Sequence, residues 1–189
     1  MTLKTLTTAL VAATALSGAA LAESHSETGN PMVGGAAMFP DRTIVENAVN
    51  SADHTTLVAA VKAADLVETL SSDGPFTVFA PTNAAFDMIS DESLNALLQP
   101  DAKAQLAQIL TCHVVAANAM SGAIAGMIAD DDGVHPVATV GGCTLQARMD
   151  GDGITLTDEN GRIATVTVAD VRQSNGVIHV INRVLLPAQ

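Results

Sequence analysis

The 189-residue chain has no tryptophan, no tyrosine and only four phenylalanines: Phe39, Phe76, Phe79 and Phe86. Stacking platforms for sugars or nucleobases need exposed aromatic faces, and the core has first claim on these four. Positive charge is also scarce. Eight Lys and Arg stand against 20 Asp and Glu, a formal net charge of −12. That balance repels nucleic-acid phosphates and anionic membranes, and it favours solubility and cationic partners. H-E-x-x-H, zinc-type Cys/His spacings, a Gly-rich phosphate loop and a G-x-S-x-G elbow are all missing. The local signatures of zinc proteases, nucleotide-binding enzymes and serine hydrolases are therefore absent, and no cofactor is indicated. Beyond the N-terminal segment, no apolar run is long enough to cross a bilayer as a helix.

What is present begins with that N-terminal segment. Lys4 precedes an alanine-rich apolar stretch from Ala9 to Ala20, and Ala20-Leu21-Ala22 forms an A-x-A site. This is the three-part pattern of a secretory signal cleaved after Ala22, which makes the mature protein periplasmic or extracellular. The alternative is a retained membrane-surface helix. Residues 23–40, "ESHSETGNPMVGGAAMFP", are rich in Ser, Gly, Asn and Pro and read as a flexible lead-in that orders only near Met38-Phe39. One domain, residues 41–187, accounts for the rest. Cys112 and Cys143 make an even count, which in an exported chain points to a disulfide. The other reading is two buried thiols.

Along the domain, residues 41–50 and 55–70 carry apolar residues at helical spacing, the second run open to interruption at Ala64-Asp65. Phe76 to Ala80 is a short, nearly all-apolar strand of the kind buried on both faces. Pro81 ends it, and Thr82 or Asn83 caps a helix that inserts Phe86. Helices starting at Ser90 and Pro100 follow, with Leu94, Leu97 and Leu98 facing inward in the first. The second half changes period. "CTLQARM", "ITLT" and "RIATVTVAD" alternate, with Asn160-Gly161 as a hairpin turn, and "GVIHVINRVLLP" closes the chain as an apolar strand. Helices first and strands second, with one early strand free to join the sheet, is an α+β arrangement.

Candidate chemistry is thin. Thr82 stands at the strand-to-helix corner without a base at any motif distance. Among His25, His54, His113, His135 and His179, the histidines His113 and His179 lie in apolar runs, where a hydrogen-bonded core role competes with a ligand or base role. Asp130-Asp131-Asp132-Gly133 reads as a solvated loop. Asp150-Gly151-Asp152-Gly153 begins like a calcium loop, but Ile154 takes the next ligand position and no glutamate closes it.

Two stretches together carry a resemblance. "GPFTVFAPTNAAF" (Gly74 to Phe86) resembles the first signature of the fasciclin, or FAS1, domain, and "SNGVIHVINRVLLP" (Ser174 to Pro187) resembles the second. "TLVAAVKAADLVETL" before them and "LAQILTCHVV" between them also fit in order. The signature positions are Phe79, Pro81, Thr82, Asn83, Phe86 and His179. The resemblance covers roughly Thr43 to Pro187 and implies a small single-domain secreted member of bacterial type. It implies an α+β fold, a seven-stranded β-wedge or sandwich with helices packed on one side, and a non-catalytic module for cell adhesion or protein interaction, monomeric or weakly self-associating. The family's Tyr-His pair is Cys112-His113 here, so the tyrosine hydroxyl and ring are lost. Its adhesion motif maps onto Asp170-Val171, together with His113. Two other readings stand beside it: a small-ligand carrier or envelope scaffold, and a hydrolase or metal-dependent enzyme built around His113 or His179.

Overall fold

The structure is a computed structural model that describes residues 30–188. The segment read as a signal, and residues 23–29 of the lead-in, lie outside the described residues.

The folded chain starts earlier than Asp41. Strands β1 (Met32–Val33) and β2 (Ala36–Ala37) form a hairpin. Its turn is Gly34-Gly35, with φ of 56° and 75°. Two consecutive positive φ values suit a tight hairpin turn, and glycine supplies them without steric cost. Val33 and Met38 are buried in the main core, so apolar packing holds down a segment whose composition reads as loose.

Helices follow. α1 (Ile44–Ala48) begins with a reciprocal capping box between Thr43 and Glu46. α2 (Thr55–Ala63) and α3 (Val67–Ser71) are separated at Asp65, whose φ is 62°. β3 (Phe76–Pro81) leads into α4 (Asn83–Phe86). α5 (Asp91–Leu97) is capped by Ser90, and α6 (Lys103–Thr111) runs to β4 (Val114–Val115). Leu94, Leu97 and Leu98 are only half-buried, packed on the rim of the core. α7 (Ser121–Asp130), β5 (His135–Ala138), β6 (Thr144–Asp150), β7 (Gly153–Thr157), β8 (Ile163–Gln173) and β9 (Gly176–Ile181) complete the domain.

Seven strands form one mixed sheet in the order β4-β3-β9-β8-β7-β6-β5, curved nearly into a barrel. β3 and β9, the two signature stretches, lie side by side as its parallel pair, with Phe79 opposite His179. β8 pairs with β7 at one end and with β9 along the rest, with register shifts between Val166 and Val171. Those irregularities bend one long strand so that it serves both halves of the sheet.

Successive side chains of a strand point to opposite faces, and here each face has its own core. Val78, Ala80, Ile178 and Val180 join the core under α1, α2 and α6. Phe79 and Ile181 join a second core with Ile124 and Ile128 of α7 and Leu145 and Leu156 of β6 and β7. The central strands are thus buried on both faces, the reason their sequence is nearly all apolar. Gly176 opens β9 with φ +157°, and a Cβ there would collide with the Phe76 carbonyl.

Candidate functional site

The strand-to-helix corner at Thr82 is occupied by capping. The Thr82 side chain accepts from Ala85 N–H at 3.3 Å as the cap of α4, sharing that donor with the Thr82 carbonyl at 2.9 Å. Asn83 Oδ1 accepts from Thr56 N–H at 3.0 Å and from Thr55 Oγ1 at 3.2 Å, and its Nδ2 donates to Ala52 O at 2.8 Å. One side chain therefore ties the start of α2 to the end of β3. Pro81 is the last strand residue, buried, and Phe86 is buried behind the corner.

His179 lies on β9, fully buried, its ring stacked on Phe79 at 5.7 Å between centroids. The N–H of Asp170 points at Nδ1 at 3.3 Å, so that nitrogen is the acceptor and Nε2–H donates to Ala119 O at 2.8 Å. Asp170 has φ 60° within the irregular part of β8. Its carboxylate accepts from Ser121 N–H at 2.7 Å and from Ser121 Oγ at 2.5 Å. Nearby, Thr77 Oγ1 donates to Ala117 O at 2.6 Å and accepts from Ala119 N–H at 2.8 Å. The loop before α7 is thus fastened to the sheet by three polar side chains.

His113 is equally committed. Leu185 N–H donates to Nε2 at 2.9 Å, which leaves Nδ1–H to donate to Ile109 O at 2.8 Å. Burial pushes its pKa down to about 4, against smaller opposing effects of the Ile109 carbonyl and the Asp158 charge. Burial also lowers His179. Both rings are neutral at pH 7 and both nitrogens of each are taken by backbone groups. Protonation of either ring would add a buried charge and break one of these bonds. No ring nitrogen of His113 or His179 is left to act as base or metal ligand. Among the described residues, no three His, Cys, Asp or Glu stand close enough to hold a metal.

Cys112, next to His113, is bonded to Cys143 with Cα atoms 5.3 Å apart. The disulfide joins the end of α6 to the start of β6, and both cysteines are buried. Val171 is fully buried in the main core. The three residues onto which the resemblance maps an adhesion motif therefore do not gather in one exposed patch: Asp170 meets His179, Val171 is buried, and His113 lies at the end of α6 against the C-terminal segment.

Sequence reasoning missed several polar residues that organise the fold. Buried Asp158, in the β7–β8 turn, accepts from Asn160 N–H, Arg162 N–H and Leu186 N–H, at 2.9, 2.9 and 3.0 Å, and pairs with Arg162 Nε at 3.1 Å. Buried Asn175 accepts from Ile44 N–H at 3.0 Å and donates to Leu70 O and Ser72 O. Asn175 stands beside Gly176 in the second signature stretch, a hint that it serves a turn with fixed partners. Asp158 precedes the Asn160-Gly161 turn by two residues, the spacing of an Asx-type turn.

The fold and these contacts define an α+β module whose signature side chains are engaged in packing, capping and backbone hydrogen bonds. The fasciclin domain model matches residues 52–187, and the chain belongs to the fasciclin-domain family. Protein sll1483 of Synechocystis sp. is 42% identical over 194 residues, covering 94% of this chain and 96% of that protein. Cell surface glycolipoprotein MPB83 of Mycobacterium bovis is 33% identical, covering 90% of this chain and 70% of that one. Among solved structures, a FAS1 domain pair from the insect cell adhesion molecule Fasciclin I matches with a TM-score of 0.55 and 26% identity, over 69% of this chain and 43% of that chain. Among the described residues, no helix is long and apolar enough to cross a membrane.

Proposed function

We propose that the protein is an exported, non-catalytic fasciclin module that mediates cell adhesion or protein–protein contact at the envelope or outside the cell. The observation that carries this reading is the internal use of the signature side chains and of His113. Phe79, Thr82, Asn83, Phe86 and His179, and His113 with them, are all spent on packing, capping or backbone hydrogen bonds. Recognition then falls to loops and strand edges carried by a rigid frame. Two of the three similar proteins, one a cell-surface glycolipoprotein and one a cell adhesion molecule, support the same reading.

In this reading residues 1–22 are a signal removed after Ala22, and the mature chain carries one fasciclin domain. Asp170, Val171 and His113 act by holding the binding surface in shape, since Val171 and His113 are buried and both Asp170 oxygens are bonded. The partner is a protein or cell-surface ligand, and the net charge of −12 favours a cationic one.

A strain lacking the protein, with and without complementation, tests the proposal. Attachment to natural surfaces should fall in the deletion strain and return on complementation. Unchanged attachment to every surface would contradict it. A pull-down from envelope extracts with the full chain as bait would then identify the ligand.

A further inference from the structure

The sheet curves nearly into a barrel but does not close. β4 and β5 are its two ends and do not pair as strands. Two backbone bonds join the chain beside them: Val140 N–H donates to Val114 O at 2.8 Å and Gly141 N–H to Thr111 O at 3.0 Å. The rest of this seam holds a cavity of about 170 Å³. β5 supplies one side of it and the segment after β4 the other. Phe79, Ile124 and Met127 of the second core complete the wall. Pro136 and Ala138, also in the wall, are exposed, so the cavity reaches the surface and a ligand can enter without unfolding.

Size and lining narrow what fits. An apolar cavity of about 150 Å³ accepts benzene, so about 170 Å³ leaves room for one small substituent on such a ring. Phe79 offers ring-to-ring contact and Met127 a polarizable sulfur, both favourable to an aromatic guest. Two lining side chains are polar. Thr77 is already spent, donating to Ala117 O and accepting from Ala119 N–H. His135 is half spent: Nδ1–H donates to Asp131 Oδ2 at 2.6 Å, and Nε2 has no hydrogen-bond partner among the described residues. The bond to Asp131 orients the ring and leaves Nε2 for a ligand. A hydroxyl both donates and accepts, so it meets Nε2 whether or not that nitrogen carries a proton. A carboxylate or phosphate would instead face the acidic run Asp130-Asp131-Asp132 that precedes β5. Any charged group would also lose hydration against the apolar walls.

We propose that the seam cavity binds a neutral single-ring phenol, its ring against Phe79 and Met127 and its hydroxyl hydrogen-bonded to His135 Nε2. The ring fills space that the unclosed sheet leaves beside the second core, and the hydroxyl takes up the one polar side chain of the wall that the fold leaves with an open site. The site does not rest on the surface contacts proposed above.

The test titrates the full chain with phenol and with toluene, which have the same number of heavy atoms and exchange a hydroxyl for a methyl. Methyl resonances of Met127 and Ile124 report on the cavity, that of Met38 in the main core serves as reference, and the ¹⁵N resonances of the His135 ring report on the hydrogen bond. Both ligands should shift Met127 and Ile124 saturably and leave Met38 in place, and only phenol should move His135 Nε2. His135→Leu should lower the phenol-to-toluene affinity ratio about fivefold, the worth of one hydrogen bond. Ala119→Phe should fill the cavity and block both ligands. Should either variant misfold, the Met127, Ile124 and His135 resonances of the unaltered protein remain decisive. Cavity resonances that never saturate or move no more than Met38, a His135 Nε2 resonance unmoved at saturating phenol, or an affinity ratio preserved in His135→Leu would each overturn the assignment.

Discussion

Acidification should destabilise this protein through His113 before any surface carboxylate pair matters. The imidazole is neutral and bonded on both sides in the folded chain, with a pKa of about 4. Unfolded, the same ring titrates near 6.5. Between those values the unfolded chain binds more protons, so stability rises with pH and falls on acidification. The contribution is fully present above about pH 6.5 and is lost as pH falls toward 4. One group in that window changes stability by about 1.4 kcal/mol per pH unit, or about 2 kcal/mol between neutrality and pH 5. His113→Gln removes this titration while keeping an amide able to donate and accept. Urea unfolding of both proteins from pH 7.5 to 5 should show the wild type's advantage shrinking by about 2 kcal/mol. His54 and His179 are shared by both proteins and cancel in the difference. Parallel pH profiles, or an NMR titration placing the His113 ring near its ordinary pKa in the folded state, would refute the reasoning.

Other perturbations follow from the same contacts. The Cys112–Cys143 bond spans 31 residues, so Cys112→Ala with Cys143→Ala should cost about 3–4 kcal/mol in urea unfolding; alkylation of the unreduced protein should label neither cysteine by mass spectrometry. Asn83→Ala should cost about 1–2 kcal/mol through the lost cap on α2, measured by the shift in urea midpoint. Asp170→Ala removes both acceptors of Ser121 and should speed amide hydrogen exchange around Ala119–Ser121, with a loss of about 2 kcal/mol; unchanged exchange there would mean that the Thr77 contacts hold the loop alone.

The sheet's central strands were the most legible part of the sequence, because burial on both faces leaves apolar residues everywhere but Thr77 between Phe76 and Ala80, and everywhere but His179 between Val177 and Ile181. The hairpin turn at Asn160-Gly161 and the interruption at Asp65 could be read for a related reason: each reports a local backbone requirement. α7 was not foreseen. Its only burial signal is Ile124 and Ile128, among glycines, alanines and a methionine that score weakly. The β1–β2 hairpin was missed because its Gly-Gly turn sits among small residues that also spell a loop, and only the packing of Val33 and Met38 orders it. The parallel pairing of β3 with β9 joins residues about a hundred positions apart, which no local pattern records. The roles of His113 and His179 were open for the same reason: their partners Leu185, Ile109, Ala119 and Asp170 are backbone groups, invisible to side-chain motifs.

If this module recognises a surface through its exterior, the folded chain alone should bind that surface. Beads coated with the purified chain, offered to cells of the producing organism and to their envelope material, test it most directly. Binding should be saturable and competed by the soluble folded chain, and that competition should disappear when the competitor is reduced and unfolded. Binding no greater than that of beads coated with an unrelated acidic protein would contradict it.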